Sequence, residues 1–94
     1  MYARLVEFKM APGKWAEAQP FAIAAKPIIA AHDGCESVTV FGDDTDGAYG
    51  IFVLWDSKEH ADSAAMAVRP KLNELLSGLA EGELKPRLFE VLTS

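Results

Sequence analysis

The stretch AYGIFVLWDSKEH, residues 48–60, carries the pattern on which the fold depends. Its first part predicts a strand over Ala48–Trp55, because apolar residues occupy both alternating faces and only Gly50 interrupts one of them. Asp56 and Glu59 then match a capping box, in which a side chain at the N-cap is followed by a glutamate one turn later. A strand that is apolar on both faces needs cover on both sides. We therefore expect a strand covered on each side, followed directly by a helix.

The residues after the capping box predict a broken helix and a last strand. Apolar residues continue at helical spacing, but Pro70 disfavours helical geometry at Arg69, so we expect a break or kink there. A second helical segment follows, with leucines at the spacing of a buried stripe from Leu72 to Leu79. Gly82 is expected to end this segment. The alternation of apolar residues then predicts a strand from Glu83 to Leu92.

The residues before residue 48 predict two further strands with a helix between them. Alternation indicates a strand over Tyr2 to Met10, and a short apolar run indicates another over Glu36 to Phe41. Between them, apolar residues from Lys14 to His32 cluster on one stripe when placed at about 100° intervals. Pro20 and Pro27 lie inside this helix, and we expect them to kink or interrupt it, because each removes an N–H donor.

The predicted order β-α-β-β-α-β is the ferredoxin-like arrangement: one α+β domain over residues 1–94, with an antiparallel sheet and both helices on one face. The strands nevertheless carry apolar residues on the face away from the helices, among them Phe52, Leu54, Phe89 and Val91. Leaving that face in water would forfeit roughly 25 cal/mol for each Å² of apolar surface. We therefore expect a homodimer built sheet against sheet.

Charge and composition exclude several classes of partner. The net charge is −5, from 9 Lys and Arg against 14 Asp and Glu, so neither nucleic acid nor an anionic membrane is an expected partner. The single cysteine, Cys35, excludes an intrachain disulfide framework and a cysteine-rich zinc site, and no metal site is predicted. Charged residues interrupt the N-terminus, and the most apolar region, Phe21 to Ala31, is too short for a membrane span. These features favour a cytoplasmic protein.

Five residues are candidates for a functional site, and each has a structural alternative. Trp55 could lie at the rim of a pocket, because its indole N–H needs a partner, or could anchor the helix to the sheet. His60 could shuttle protons near neutral pH or lie exposed, and Arg69 could hold a carboxylate or enolate or be a surface residue. Arg4, on an apolar strand face, could enter a cavity or extend to water. Tyr49 could donate to a ligand oxygen or pack as an aromatic ring.

Three segments in this order resemble the antibiotic biosynthesis monooxygenase (ABM) superfamily across nearly the whole chain. They are Pro12–Lys14 before the first helix, Asp33–Cys35 at the second strand, and Leu54–His60 across the third strand and second helix. The resemblance implies a dimeric α+β barrel with a pocket between helices and sheet for hydrophobic, often aromatic ligands. Trp55 matches the position of the family's pocket tryptophan.

The resemblance also implies a set of activities from which this sequence departs in places. Some members oxidise polycyclic phenols with molecular oxygen and no bound cofactor, and others degrade haem or modify signalling quinones. The oxygenase members carry an asparagine where this chain has Ile51, and many carry histidines where it has Ala64 and Arg69. Haem-degrading members carry an asparagine in the first strand, and Tyr2 to Met10 contains none. Haem degradation is therefore disfavoured.

Two hypotheses follow from the residues and the resemblance together. The first is a cofactor-independent, monooxygenase-like oxidoreductase acting on an apolar or aromatic small molecule. His60 and Arg69 would then be the catalytic candidates, and Trp55, Tyr49 and Arg4 would contact the substrate. The second is a non-catalytic module that binds a small ligand or only dimerises, which the absence of the oxygenase asparagine favours.

Overall fold

The computed structural model describes residues 1–93 as a four-stranded antiparallel sheet with two helices on one face. The elements are β1 (Tyr2–Met10), α1 (Trp15–Ala30), β2 (Cys35–Asp43), β3 (Ala48–Trp55), α2 (Lys58–Leu75) and β4 (Ala80–Glu90). The strands lie in the order β2-β3-β1-β4, and each neighbouring pair is antiparallel. The predicted ferredoxin-like α+β fold is therefore confirmed.

The core lies between the helices and the inner face of the sheet. The alternating residues of β1 and β3 that face the helices are buried, as are the apolar stripes of α1 and α2. These residues are Val6, Phe8, Met10, Tyr49, Ile51, Val53 and Trp55 from the two central strands, Ala18, Phe21, Ala25 and Ile29 from α1, and Ala61, Ala64, Val68 and Leu72 from α2.

Helix α1 runs without interruption through both of its prolines, so the predicted interruption is wrong. Pro20 and Pro27 are exposed, while Phe21, Ala25 and Ile29 on the opposite side are buried in the core. Each proline removes one backbone hydrogen bond on the solvent side, where water solvates the carbonyl left without a donor. Burial of the apolar stripe therefore keeps the helix in one piece.

Helix α2 is likewise continuous through Arg69 and Pro70, and the predicted break is wrong for the same reason. Its N-cap is Ser57 and not Asp56, since the Ser57 hydroxyl accepts a hydrogen bond from the His60 backbone N–H at 3.2 Å. The Asp56 carboxylate is instead engaged with the His60 ring, at 2.7 Å.

The second helical segment predicted from Leu72 to Leu79 is wrong in its extent, because α2 ends at Leu75 and β4 already begins at Ala80. Gly78, with a φ of 81°, turns the chain between them. Gly82 lies inside β4 at an irregularity of the register and does not end a helix. The leucine spacing is real, but Leu72 and Leu76 pack from the helix end, whereas Leu79 belongs to the turn.

The outer face of the sheet, which we define by Ala3, Leu5, Phe52, Leu54 and Phe89, carries no helix. The register places Leu54 and Phe89 on either side of Ala3, and Phe52 beside Leu5. Phe52 remains 37% exposed and Phe89 38% exposed. The expected two-sided apolar character of the sheet is therefore present in the folded chain.

Candidate functional site

A cavity of about 50 Å³ lies between α2 and the inner face of the sheet. Strands β1, β3 and β4 and helices α1 and α2 supply its walls. Its lining is apolar except for Arg4, Trp55 and Arg69. The apolar lining residues are Val6, Ile29, Ile51, Val53, Ala61, Ala64, Ala65, Val68, Leu72, Leu84 and Pro86.

Trp55 lies at the end of β3, opposite Tyr2 of β1, and is only 3% exposed. Its indole Nε1 is buried and has no hydrogen-bond acceptor among residues 1–93. A buried donor without a partner costs about 1–3 kcal/mol, so the folded chain retains an unmet requirement for an acceptor beside this cavity. Trp55 therefore both anchors the core and offers a donor.

Arg4 projects from the inner face of β1 and is held at its tip by a carboxylate. Its Nη2 donates to Asp62 Oδ1 at 3.1 Å, and Lys58 Nζ donates to the other oxygen of Asp62 at 2.9 Å. These hydrogen bonds, that from Lys58 being the stronger influence, lower the pKa of Asp62. The Arg4 Nε is buried and has no acceptor in the described part of the chain. Asp62 thus fixes the outer end of the guanidinium, while the buried Nε–H remains without an acceptor among residues 1–93.

The polar side chains that line the cavity are donors. Within residues 1–93 its lining contains no carboxylate, histidine or hydroxyl side chain, and Arg4, Trp55 and Arg69 have no acceptor atom to offer. Such a cavity can stabilise the oxygen of a carbonyl, carboxylate or phenolate. It has no side chain that can remove a proton at neutral pH.

Arg69 connects the cavity to an outer cleft of about 480 Å³ between the end of α2 and the start of β4. Leu84 and Pro86 also line both spaces, and Asn73 and Glu83 line the outer cleft. Arg69 is exposed and lies within the continuous helix α2, not at a helix break as predicted. Its place in the site is the cavity entrance.

His60 does not line the cavity. Its Nδ1 lies 2.7 Å from Asp56 Oδ1, and this hydrogen bond raises the pKa of His60 and lowers that of Asp56. Gly34, with a φ of 85°, packs so closely against both side chains that a Cβ there would clash with them. The Asp56–His60 pair therefore packs the start of α2 against the turn before β2, which gives it a structural role.

Tyr49 is also separate from Trp55, since it lies near the opposite end of β3. It stacks on Phe8 at 5.9 Å between ring centroids, and its hydroxyl donates to Asp44 Oδ1 at 3.4 Å. It lines a different cavity of about 80 Å³ together with Trp15. Of the five predicted site residues, the structure thus brings Arg4, Trp55 and Arg69 together and leaves His60 and Tyr49 elsewhere.

Asp62, which positions Arg4, is not among the residues predicted from the sequence. Asp62 lies four residues after Lys58, which is the spacing of a helical ion pair and could have predicted that salt bridge. This spacing gives no indication that Asp62 also pairs with Arg4. The pairing with Arg4 spans 58 residues of chain. Among residues 1–93 no group of three metal-ligating side chains comes together, and neither helix is long and apolar enough to cross a membrane.

Comparison with known proteins establishes the fold and no more. No family model matches the sequence, and no curated protein matches it. Among solved structures, SnoaB, a cofactor-independent oxygenase from Streptomyces nogalater, superposes with a TM-score of 0.78 at 17% identity, covering 99% of this chain and 94% of SnoaB. A proposed antibiotic biosynthesis monooxygenase from Deinococcus radiodurans gives a TM-score of 0.81 at 17% identity, covering 100% and 95%.

A further antibiotic biosynthesis monooxygenase structure gives a TM-score of 0.77 at 13% identity and covers 99% of this chain and 100% of that one. The chain therefore has the fold of the antibiotic biosynthesis monooxygenases over its whole length, and the resemblance found in the sequence is confirmed at that level.

Proposed function

We propose that this chain is a cofactor-independent, monooxygenase-like enzyme that acts in the cytoplasm on an apolar, aromatic small molecule. The observation that carries the proposal is the apolar cavity beside Trp55, in which the polar side chains are hydrogen-bond donors. The apolar walls suit the edge of an aromatic ring, whose bulk would lie toward the outer cleft because the cavity holds only about 50 Å³. An oxygen on that ring would meet the donors. The fold shared with SnoaB, a cofactor-independent oxygenase, supports the class of reaction.

The reaction class is the oxidation of a phenol by molecular oxygen. The phenol loses its proton to solvent, since the described lining residues cannot accept it, and the donors stabilise the phenolate. The phenolate ring then donates electrons to dioxygen, which is reduced. One oxygen atom becomes the new carbonyl oxygen at a ring carbon, whose C–H bond breaks, and the other leaves as water. The net change is phenol plus O₂ to quinone plus H₂O, and Arg4, Trp55 and Arg69 hold the anion throughout.

The same proposal includes a homodimer formed through the outer face of the sheet. Phe52 and Phe89 on this face are more than a third exposed in the single chain, and they lie beside the apolar residues Leu5 and Ala3 of β1, respectively. A second copy placed face to face would remove these rings from water and close the barrel. Each copy would keep its own cavity on the inner face.

A non-catalytic small-ligand-binding module is the second candidate. The observation that favours it is Ile51, which is fully buried in the cavity wall where the resemblance implies a polar group. A cavity without that group binds an apolar ring equally well but gives one contact fewer to a developing charge.

Oxygen uptake with a panel of hydroxylated polycyclic aromatics tests the proposal and separates the two candidates. We expect uptake by the wild type and a loss of roughly tenfold or more for Trp55→Phe, which keeps a flat ring but removes the N–H. Trp15→Phe is the matched control, because Trp15 lies at the other cavity. Binding of the panel without any uptake would support the non-catalytic module, and the absence of both would overturn the proposal.

A further inference from the structure

We infer that Arg4 and Trp55 form a donor pair that selects ligands carrying an acceptor-only oxygen group, such as a carboxylate or an enolate. This inference rests on the proposed function and specifies the chemical class of its ligand. Of two aromatic molecules of equal size, the donor pair would bind the one with an anionic oxygen group more tightly than the one with an alkyl group in the same place.

The two residues are neighbours across β1 and β3. Arg4 pairs with Val53, and Trp55 lies two residues further along β3, so both side chains project from the inner face as diagonal neighbours. Both line the same cavity. A ligand group at this corner is therefore within reach of both side chains at once.

Each of the two side chains holds a buried N–H group that no acceptor among residues 1–93 satisfies, namely Arg4 Nε and Trp55 Nε1. Trp55 is 3% exposed, so water has little access to the indole. Two unsatisfied donors on adjacent side chains match a group with lone pairs and no hydrogen of its own. A hydroxyl group can accept from both, but its own O–H then finds no side-chain acceptor in the described lining, whereas a carboxylate accepts from both and has no hydrogen to place.

The local charge favours an anion although the whole chain carries a net charge of −5. Arg4 and Lys58 share the one carboxylate of Asp62, which leaves one positive charge in excess in this cluster. Arg69 adds another at the cavity entrance, where Glu83 lines the same outer cleft, and no carboxylate lines the cavity itself within residues 1–93. Asp62 acts as a positioning residue, because its bond to Nη2 orients the guanidinium so that Nε stays inside.

A probe of two fused rings needs more space than the cavity alone provides. The cavity itself measures about 50 Å³, but it shares Arg69, Leu84 and Pro86 with the outer cleft of about 480 Å³. The oxygen group would lie at the Arg4–Trp55 corner and the rings would extend toward Arg69.

The test compares 2-naphthoate with 2-methylnaphthalene, which share ring system and size, by NMR titration of the tryptophan indole N–H signals. The Trp15→Phe variant assigns the Trp55 signal. We expect 2-naphthoate to bind at least roughly tenfold more tightly and to shift the Trp55 N–H downfield, as a hydrogen bond to a charged acceptor does. Arg4→Met should abolish this preference, whereas Lys71→Met, which removes a positive charge from the exposed side of α2, should preserve it.

The outcomes are distinguishable from those of the proposed function. Equal binding of both probes, or a preference that survives in Arg4→Met, would overturn the inference while leaving the aromatic-binding cavity intact. Failure of both probes to move the Trp55 signal would overturn the inference together with the proposed function. Weaker 2-naphthoate binding by Trp55→Phe, with 2-methylnaphthalene binding unchanged, would support the donor pair through a variant that keeps the core filled. Because this variant lacks the Trp55 N–H, line broadening of the ligand signals measures its binding.

Discussion

Two glycines show how single residues shape the two faces of the sheet. Gly42 of β2 lies against the ring of Tyr49, and Gly50 of β3 lies against the ring of Phe41, so that a Cβ at either position would clash with an aromatic ring. Tyr49 is buried between Phe8 and the helix and cannot move aside, but Phe41 is 45% exposed. The inner face therefore tolerates less change than the outer face.

Gly42→Ala should consequently destabilise the fold by about 1–3 kcal/mol, the usual cost of overpacking. Gly50→Ala should cost less than about 1 kcal/mol, because the Phe41 ring can rotate toward solvent. Urea unfolding of the two variants measures the difference. Equal losses would mean that the buried Tyr49 ring moves aside as readily as the exposed Phe41 ring.

The Asp56–His60 pair makes stability depend on pH. The hydrogen bond from Asp56 raises the pKa of His60 above its ordinary 6.5, so this contribution is complete below about pH 6.5 and is lost as the pH rises through the raised value. The pKa of Asp56 is lowered from 3.8, so its contribution is present above that value and is lost as the pH falls through the lowered one. The pair therefore stabilises the fold most between about pH 4 and pH 6.5.

We expect the urea midpoint of the wild type to fall between about pH 5.5 and pH 8.5, and that of Asp56→Asn to fall less over the same interval. NMR titration of the His60 ring should also give a pKa that drops toward 6.5 in Asp56→Asn. A variant that shows the same pH dependence as the wild type would mean that the Asp56–His60 pair does not set it.

Among the helices and strands, the effect of a proline inside a helix is what the sequence pattern predicts least well. Each proline removes a backbone donor, which predicts a break, but whether a break occurs depends on what the rest of the helix buries. In α2, Val68 and Leu72 are buried on either side of the exposed Pro70, and the helix continues. Tertiary packing thus overrides a local penalty that no single-residue rule can weigh.

Pro70→Ala should stabilise the protein by roughly 1–3 kcal/mol, because it restores a helical hydrogen bond and relieves the clash with the preceding turn. Pro12→Ala is the matched control: Pro12 lies in the turn before α1, where replacing proline gains no such bond and loosens the unfolded chain. Thermal unfolding compares the two. A lower Tm for Pro70→Ala would mean that the proline fits α2 without strain.

All four strands were predictable from alternation, but the ends of only two of them were. The bounds predicted for β1 and β3 match those observed, since turn residues flank both. β4 begins before the predicted Glu83, because Gly82 is accommodated by a register shift opposite β1 that only strand pairing reveals. The candidate site was predictable to the same extent. Strand alternation placed Arg4 on the apolar inner face, but the hydrogen bond from Arg4 to Asp62 and the separation of His60 from Trp55 depend on how the elements pack together.

For the whole molecule, the exposed outer face of the sheet predicts self-association. Phe52→Lys places a charge at the centre of this face and should convert a dimer to a monomer in sedimentation velocity at micromolar concentration. Met66→Lys is the control, because Met66 is 83% exposed on α2, away from the sheet, and should leave the sedimentation coefficient unchanged. A wild type that sediments only as a 10.2 kDa species would exclude the sheet-to-sheet dimer.

A crystal structure with a bound hydroxylated polycyclic aromatic would show whether the cavity beside Trp55 is the ligand site. We expect the rings to lie between α2 and the sheet, with a ligand oxygen within hydrogen-bond distance of Trp55 Nε1, and the outer sheet faces of two copies to meet. A ligand found outside this cavity, with the space beside Trp55 filled by the protein's own side chains, would contradict this expectation.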